Sequence, residues 1–540
     1  MSYDVIVIGS GFGGAVTACR LAQAGMKVLI LERGRRWEPK AGPGVTAYPE
    51  TLEDPWIWDQ ENPELFNGWT DLRMFKGMSV VAGAGVGGGS LIYANVSIVP
   101  PDSVFKAPWP PEITADELRP FYKLAGEVLD VQFLPQDQIN PRVTLMKEAA
   151  GKIGAADRFE QLPIAVSFRP DLKLDPANPP TEADSLQHKN KHGAIQGTCV
   201  HLGRCDFGCT VKAKNTLDVN YLFLAEQTKL TEVRPLHFVT KIEPQGSGYR
   251  VSFDRLENGK RIPGTEDAGR VIVAAGSLGS TELMLRCRDQ HKTLPAISAF
   301  LGKNWSSNGD FLTPAFYENR ALFPRIGPTI SSGINFLDRS REGQSFLIED
   351  GGIPNILNMH MQATQSPNAK GVSKQAGGKT HPFEQLVDWL KEELQKDSPI
   401  TDTMPWFANG VDAGNGEYEL ARRCWLFGMG LRLNLKWDVT KSIPSFQAEI
   451  NTQVELSNKT GGRPFPAPWW KEALITPHPL GGCNMGKSAP EGVVDHTGQV
   501  YGYKNLYVID GAIVPTPLGV NPSRTITALA ERAAKIMVGH

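Results

Sequence analysis

The sequence predicts an α/β fold, a parallel sheet wound with helices, into which a second region of α+β character is inserted. Three observations predict it. The chain opens as strand, glycine turn, helix and strand in "YDVIVIGSGFGGAVTACRLAQAGMKVLILERG". Strand, turn and helix recur in "RVIVAAGSLGSTELMLR" (270–286) and again at 505–537. Two long stretches without such glycine motifs, 111–190 and 311–465, separate these units. At 540 residues the chain exceeds the size at which one hydrophobic core keeps growing, so more than one domain is expected.

The opening unit is the most explicit. Val5 to Ile8 is a short apolar run, as a buried parallel strand requires, and Ala15 to Ala24 reads as a helix of small residues. Between them Gly9, Gly11 and Gly14 occupy G-x-G-x-x-G. The first allows the tight turn, the second lets a diphosphate approach the backbone, and the third lets helix and strand pack closely. Free N–H groups at the helix start then face the phosphates. Glu32 closes the second strand about 20 residues on, where a carboxylate accepts hydrogen bonds from ribose hydroxyls and repels a 2′-phosphate. A dinucleotide is expected, and NADP is disfavoured.

A second glycine-rich segment, "VVAGAGVGGGSLIYANVSIVPP" (80–101), contains Gly83 and Gly89 and offers a strip on which a flat ring and a pyrophosphate can lie against backbone. Its apolar flanks Val80, Val81, Leu91 and Ile92 mark it as ordered. The C-terminal stretch reads as a strand ending at Asp510-Gly511, a loop with Asn521-Pro522, and a helix capped by Ser523 or Thr525. That helix would point its positive end where an electron-accepting ring gathers negative charge. The glycine-marked segments assign 1–110, 191–310 and 466–540 to one discontinuous cofactor domain, and 111–190 with 311–465 to a discontinuous substrate domain. Within the latter, "PFEQLVDWLKEELQKD" (382–397) carries an apolar stripe at helical spacing, read as core-facing, with membrane docking as the alternative.

Composition narrows the partners. Hydrophobic residues at 41% and charged residues at 21% exclude a disordered or fibrous chain. A net charge of -2 and a pI of about 6.6 give no electrostatic reason for nucleic acid, so the ligand is a small molecule. "VIVIGSGFGGAV" is too short and glycine-rich to span a bilayer, and no export signal precedes it; no integral membrane segment and a cytoplasmic location are expected. Cys199, Cys205 and Cys209 sit in "CVHLGRCDFGC" with His201, at spacings of neither zinc nor iron–sulfur sites. A structural role is expected in preference to a metal site, with a disulfide between two of them as the intermediate alternative.

The segments "GSGFGG" (9–14), "GAGVGGGSL" (83–91), "AKNTLDVNYL" (213–222), "HPLGGC" (478–483), "YGYKNLYVIDGA" (501–512) and "GVNPSRTITALAER" (519–532) stand in order along the chain. With them the chain resembles the glucose-methanol-choline (GMC) flavoprotein oxidoreductases, most closely the non-covalent bacterial cholesterol oxidases. The resemblance implies a Rossmann-like FAD-binding domain and a substrate domain built on an antiparallel sheet. It places His478 on the active-site histidine, Asn521 on the asparagine of the V-N-P motif, and Glu349 in "FLIEDGGIP" on a glutamate base. Gly89, Tyr93, Ala94 and Val96 fall on flavin-ring contacts, joined in the cofactor set by Gly83 and Asn95; Val239 falls on the adenine contact. Asp510, Gly511 and Pro522 fall around the isoalloxazine and ribityl chain. Tyr93 departs from the asparagine of cholesterol oxidases, and Ser523 from their phenylalanine. Tyr93 also stands where some members attach flavin through histidine, so non-covalent FAD is expected.

Chemistry supports these roles. Oxidising an alcohol carbon requires a base within about 2.6–3.2 Å of the hydroxyl proton, and an imidazole with an ordinary pKa of about 6.5 is well matched to it. His478 is accordingly read as substrate-facing, in preference to a turn residue or a metal ligand with Cys483. The expected reaction is hydride transfer from the CH–OH group of a sterol-like or other bulky hydrophobic alcohol to flavin N5, giving a ketone or aldehyde. Oxygen or another acceptor would take the electrons. The tryptophans Trp56, Trp58, Trp69, Trp406, Trp425 and Trp437 suit such a substrate. The alternative is an isomerase, lyase or decarboxylase on the same scaffold.

Overall fold

The first strand, Tyr3–Ile8, pairs in parallel with Val28–Leu31 on one side and with the end of the long strand Lys260–Val273 on the other. Thr231–Arg234 and Leu506–Val508 extend this parallel arrangement. In the computed structural model, which describes residues 3–50, 54–352, 402–425, 428–468 and 470–539, these strands belong to one seven-stranded sheet. The long strand serves both halves of it. Its C-terminal part belongs to the parallel half, and the rest pairs antiparallel with Gly248–Glu257, which pairs in turn with His237–Gln245. The expected α/β architecture is present, and the 382–397 stretch lies outside the described residues.

The first helix, Phe12–Gln23, begins directly on Gly11 as its N-cap, earlier than the apolar spacing places it. Its first turn contains Gly13 and Gly14 because no side chain fits there. A Cβ on Gly13 would lie 1.7 Å from the Ile509 carbonyl oxygen, and one on Gly14 would lie 2.1 Å from that of Gly9. The helix is therefore seated against two strands at once, and Ala15, Val16, Ala18 and Leu21 are buried beneath it. The C-terminal helix, Ser523–Val538, is also almost fully covered along its first three turns.

A second, six-stranded antiparallel sheet runs in the order Arg463–Pro464, Phe311–Phe316, Thr403–Gly410, Phe346–Asp350, Ser332–Asn335, Phe159–Gln161. Phe346–Asp350 is buried at every position, Glu349 and Asp350 included. Its acidic end is held by polar partners. Asp350 accepts hydrogen bonds from the backbone N–H groups of Ser331 (2.8 Å) and Ser332 (2.6 Å) and lies 3.5 Å from the buried Arg142. Helix Ile443–Lys459 packs on this sheet, whereas Ala115–Val128 packs along Ser523–Val538, with Arg524 donating to the Tyr122 carbonyl at 3.2 Å. Among the described residues no helix is long and apolar enough to cross a membrane.

Candidate active site

One cavity of about 870 Å³ runs between the two sheets, near the upper end of the roughly 300–1,000 Å³ usual for small-molecule sites. Its first half is backbone. Gly9, Gly11, Gly83 and Gly89 line it, and a Cβ added to Gly89 would meet only the Phe12 ring edge, at 3.8 Å. A Cβ on Gly11 would meet nothing closer than 3.9 Å. Both glycines thus open into the cavity, where a side chain would fill the space a ligand needs. The helix start above them has no side-chain cap and no acid in its first turn, so its N–H groups are free for an anion.

Glu32 stands in the wall beside this cradle and is fixed from both sides. One oxygen accepts from the Ser10 hydroxyl (2.7 Å) and backbone N–H (3.0 Å), the other from the Gly34 N–H (2.9 Å). Val239 lines the same end, at a register shift in its strand. Asp510 accepts from Gly276 N–H (2.8 Å), Ala512 N–H (2.8 Å) and the Ser280 hydroxyl (2.5 Å), and burial pushes its carboxyl up to about 6. It therefore ties the start of helix Gly276–Leu285 to the loop carrying Gly511, which also lines the cavity. Tyr93, Ala94, Val96 and Pro522 line it too, and the Tyr93 hydroxyl donates to the Asn215 carbonyl at 2.7 Å.

Two residues of the expected cofactor set are not on the wall. Gly14 is a packing glycine, as its contact with Gly9 shows. Asn95, at φ 68°, is fully buried, and its amide has no hydrogen-bond partner among the described residues. The expected capping of the C-terminal helix is also not observed: Pro522 holds the N-cap position without a side-chain bond. The Ser523 hydroxyl instead donates to the Val96 carbonyl (3.2 Å), and Thr525 pairs with the Tyr122 hydroxyl (2.9 Å). That leaves the helix start bare toward the cavity.

The second half of the cavity is made of side chains. His478 follows strand Ala473–Thr476, which pairs in parallel with Gly77–Gly83, so the imidazole is carried to the end of the glycine strip. Its Nδ1 lies 2.9 Å from Oδ1 of Asp310, and its backbone N–H donates to the Thr476 hydroxyl at 2.9 Å. Thr476 Oγ1 is itself 2.5 Å from the other Asp310 oxygen. Burial raises the pKa of Asp310, and the facing imidazole opposes that rise. A carboxylate on Nδ1 sets the ring proton there and leaves Nε2 as the free acceptor. Asp310 is wholly buried while the His478 side chain stays 15% exposed.

Asn521 also lines the cavity, placed by an indirect route. Asn308 accepts from Leu518 N–H (2.9 Å) and Gly519 N–H (3.1 Å) and donates to the Val520 carbonyl (3.0 Å), so the segment that carries Asp310 also clamps the loop before Asn521. Glu349, expected as a base, does not line the cavity. It is buried behind Asn521, 3.5 Å from that amide nitrogen, and accepts a 2.7 Å bond from Asn409. Burial pushes its carboxyl up to about 8, with the two amides opposing.

Asp310, Thr476, Asn308 and Asn409 carry no signature in the sequence. No spacing announces them, because each acts across strands far apart in the chain. Three of the six tryptophans named above are not at the cavity. Trp58, Trp69 and Trp406 are core residues, and the cavity wall uses Phe311, Phe316, Phe407 and Trp470. Cys199, Cys205 and Cys209 are unpaired thiols, so the alternative disulfide does not form. Cys483 is buried against Thr281 (3.8 Å), and the ring partner of His478 is Asp310. Among the described residues, no cluster of three or more metal-ligating side chains occurs.

Comparison with known proteins identifies the family. The family model described as GMC oxidoreductase matches residues 458–530, and one described as an NAD(P)-binding Rossmann-like domain matches 7–45. The chain is 30% identical to a cholesterol oxidase of Acinetobacter baumannii, over 98% of this chain and 93% of that one. It is also 30% identical to a cholesterol oxidase of Mycobacterium tuberculosis, over 99% and 91%. Among solved structures, pyridoxine 4-oxidase from Mesorbium loti superposes with a TM-score of 0.63 at 16% identity, covering 100% of this chain and 99% of the other, which is a likeness of fold. Identity of that extent along nearly the whole of both chains shows that the chain belongs to the GMC oxidoreductase family of FAD-dependent oxidoreductases, on its cholesterol-oxidase-like side.

Proposed function

We propose that the protein oxidises the CH–OH group of a bulky hydrophobic alcohol to the ketone or aldehyde, with FAD held non-covalently. The observation that carries this reading is the Asp310–His478 pair at the end of a backbone cradle. FAD, when bound, supplies the hydride acceptor. Gly9, Gly11, Gly83 and Gly89 would hold its diphosphate and ring against backbone, Glu32 its ribose, and Asp510 with Gly511 and Pro522 the central part of the molecule.

The chain's own contribution is handling the proton and orienting the alcohol. Nε2 of His478 accepts the hydroxyl proton while Asp310 fixes the ring and stabilises the imidazolium that results. Asn521 holds the same oxygen without competing for the proton, since an amide does not titrate. Glu349 acts through Asn521: a neutral carboxyl behind the amide sets its orientation and keeps a second negative charge away from the reacting centre. Tyr93, with its hydroxyl committed to Asn215, offers no attachment point for the cofactor. The phenylalanine-rich wall favours a bulky apolar substrate, as do relatives named cholesterol oxidases.

The test is anaerobic mixing of the yellow protein with sterols and long-chain alcohols. Bleaching of the flavin absorbance is expected, and peroxide release on admitting air would mark oxygen as the acceptor. Retention of full colour with every alcohol would refute alcohol oxidation and favour the isomerase, lyase or decarboxylase alternative.

A further inference from the structure

The cysteine-rich loop has no part in the chemistry above, yet it reaches the cavity: Asp206 and Phe207 stand in the wall. The loop is pinned along its length. Lys214, buried and beneath the Tyr93 ring at 4.8 Å, donates to the carbonyls of Leu91 (2.8 Å) and Cys205. The Ala213 N–H donates to Cys209 Sγ at 3.3 Å. Gly203 is pressed on Arg325, where a Cβ would lie 2.2 Å from the carbonyl oxygen, and Gly208, at φ 94°, is pressed on the Tyr48 ring.

This frame presents the Asp206 carboxyl to the cavity with no hydrogen bond or ion pair from the described residues. Burial raises it to about 6, while Lys214 and His478 pull it down, so it is largely ionised at neutral pH. The cavity wall it shares includes the apolar Phe311, Phe316, Ile330 and Phe407. A carboxylate among such residues is costly unless a partner satisfies it, and the cavity is the side from which a partner can come.

We propose that Asp206 is a specificity determinant that accepts a hydrogen bond from a second donor, a hydroxyl or an ammonium, on the alcohol oxidised at His478. This rests on the alcohol-oxidising reading, because the two groups share one cavity and are close enough for the imidazole to influence the carboxyl. The thiols and glycines of the cysteine-rich segment then serve to pack a rigid mount for one acceptor.

The test uses the FAD-loaded full chain with octanol, the terminal octanediol and the terminal amino-octanol, with Kd read by calorimetry and turnover by anaerobic bleaching. The wild type is expected to bind at least one of the two bifunctional compounds about tenfold tighter than the monoalcohol, and Asp206→Asn is expected to reduce that ratio. Preference for the amino alcohol alone assigns a cationic donor, and preference for the diol alone a neutral one. Equal Kd values in the wild type, or a ratio that Asp206→Asn leaves unchanged, would overturn the proposal. The wild-type comparison decides even if the variant fails to fold. Binding ratios that hold while no compound bleaches the flavin would instead overturn the oxidation reading and confine Asp206 to ligand selection.

Discussion

The two halves of the cavity are built from different materials. The cofactor half is backbone, with Gly9, Gly11, Gly83 and Gly89 on the wall and a bare helix start behind them, whereas the reacting half is a set of side chains delivered by separate strands. The difference teaches how each can be damaged. Backbone function is lost by adding atoms, and side-chain function by removing them.

The largest effect should come from Gly11→Val. A Cβ there meets nothing closer than 3.9 Å and the backbone is already extended, so the variant is expected to fold. Its branched side chain would occupy the diphosphate's place, and the protein should purify colourless with its circular dichroism retained. A yellow Gly11→Val protein would mean that the cradle does not hold the cofactor.

On the other side of the comparison, His478→Ala removes atoms and should leave the flavin bound. The rate of anaerobic flavin reduction by alcohol should fall by roughly 10²- to 10⁴-fold, the range for a lost general base. Stopped-flow absorbance measures it, and a loss of flavin instead would place His478 in the cradle half.

Glu349→Gln sharpens the same boundary with a smaller, pH-dependent effect. The folded carboxyl titrates near 8 against an ordinary 4.5, so its neutral form is favoured by folding. The stability it contributes is complete below about 4.5 and lost as pH rises toward 8. Glutamine does not titrate, so Glu349→Gln should gain in melting temperature over the wild type progressively across that window. A difference that stays constant from pH 5 to 8 would show Glu349 ionised in the fold.

The same contrast explains what the sequence made legible. The cradle was readable because close approach of backbone to a ligand or a neighbouring strand demands glycine, and Gly9, Gly11 and Gly14 satisfy that demand within one turn. Even there, the helix start was misplaced at Ala15, since Phe12 to Gly14 look like a turn until the contacts with Ile509 and Gly9 are known. His478 and Asn521 stood out through family resemblance, and both line the cavity. Asp310 was invisible because it meets His478 across 168 positions of chain, from the end of a strand in a different sheet, and no local pattern states how two sheets meet. Glu349 stood out through the same resemblance, but its position behind Asn521 did not, for a strand buried at every position carries no alternation to reveal which carboxyl points inward.

The central claim is that a buried carboxylate makes His478 the base for an alcohol beside the flavin. It is tested most directly by the rate of anaerobic flavin reduction across pH in the wild type and in Asp310→Asn. An intact flavin spectrum is expected, with a rate lowered at every pH sampled, by no more than the roughly 10²- to 10⁴-fold of a lost general base. An unchanged rate in Asp310→Asn would contradict the claim.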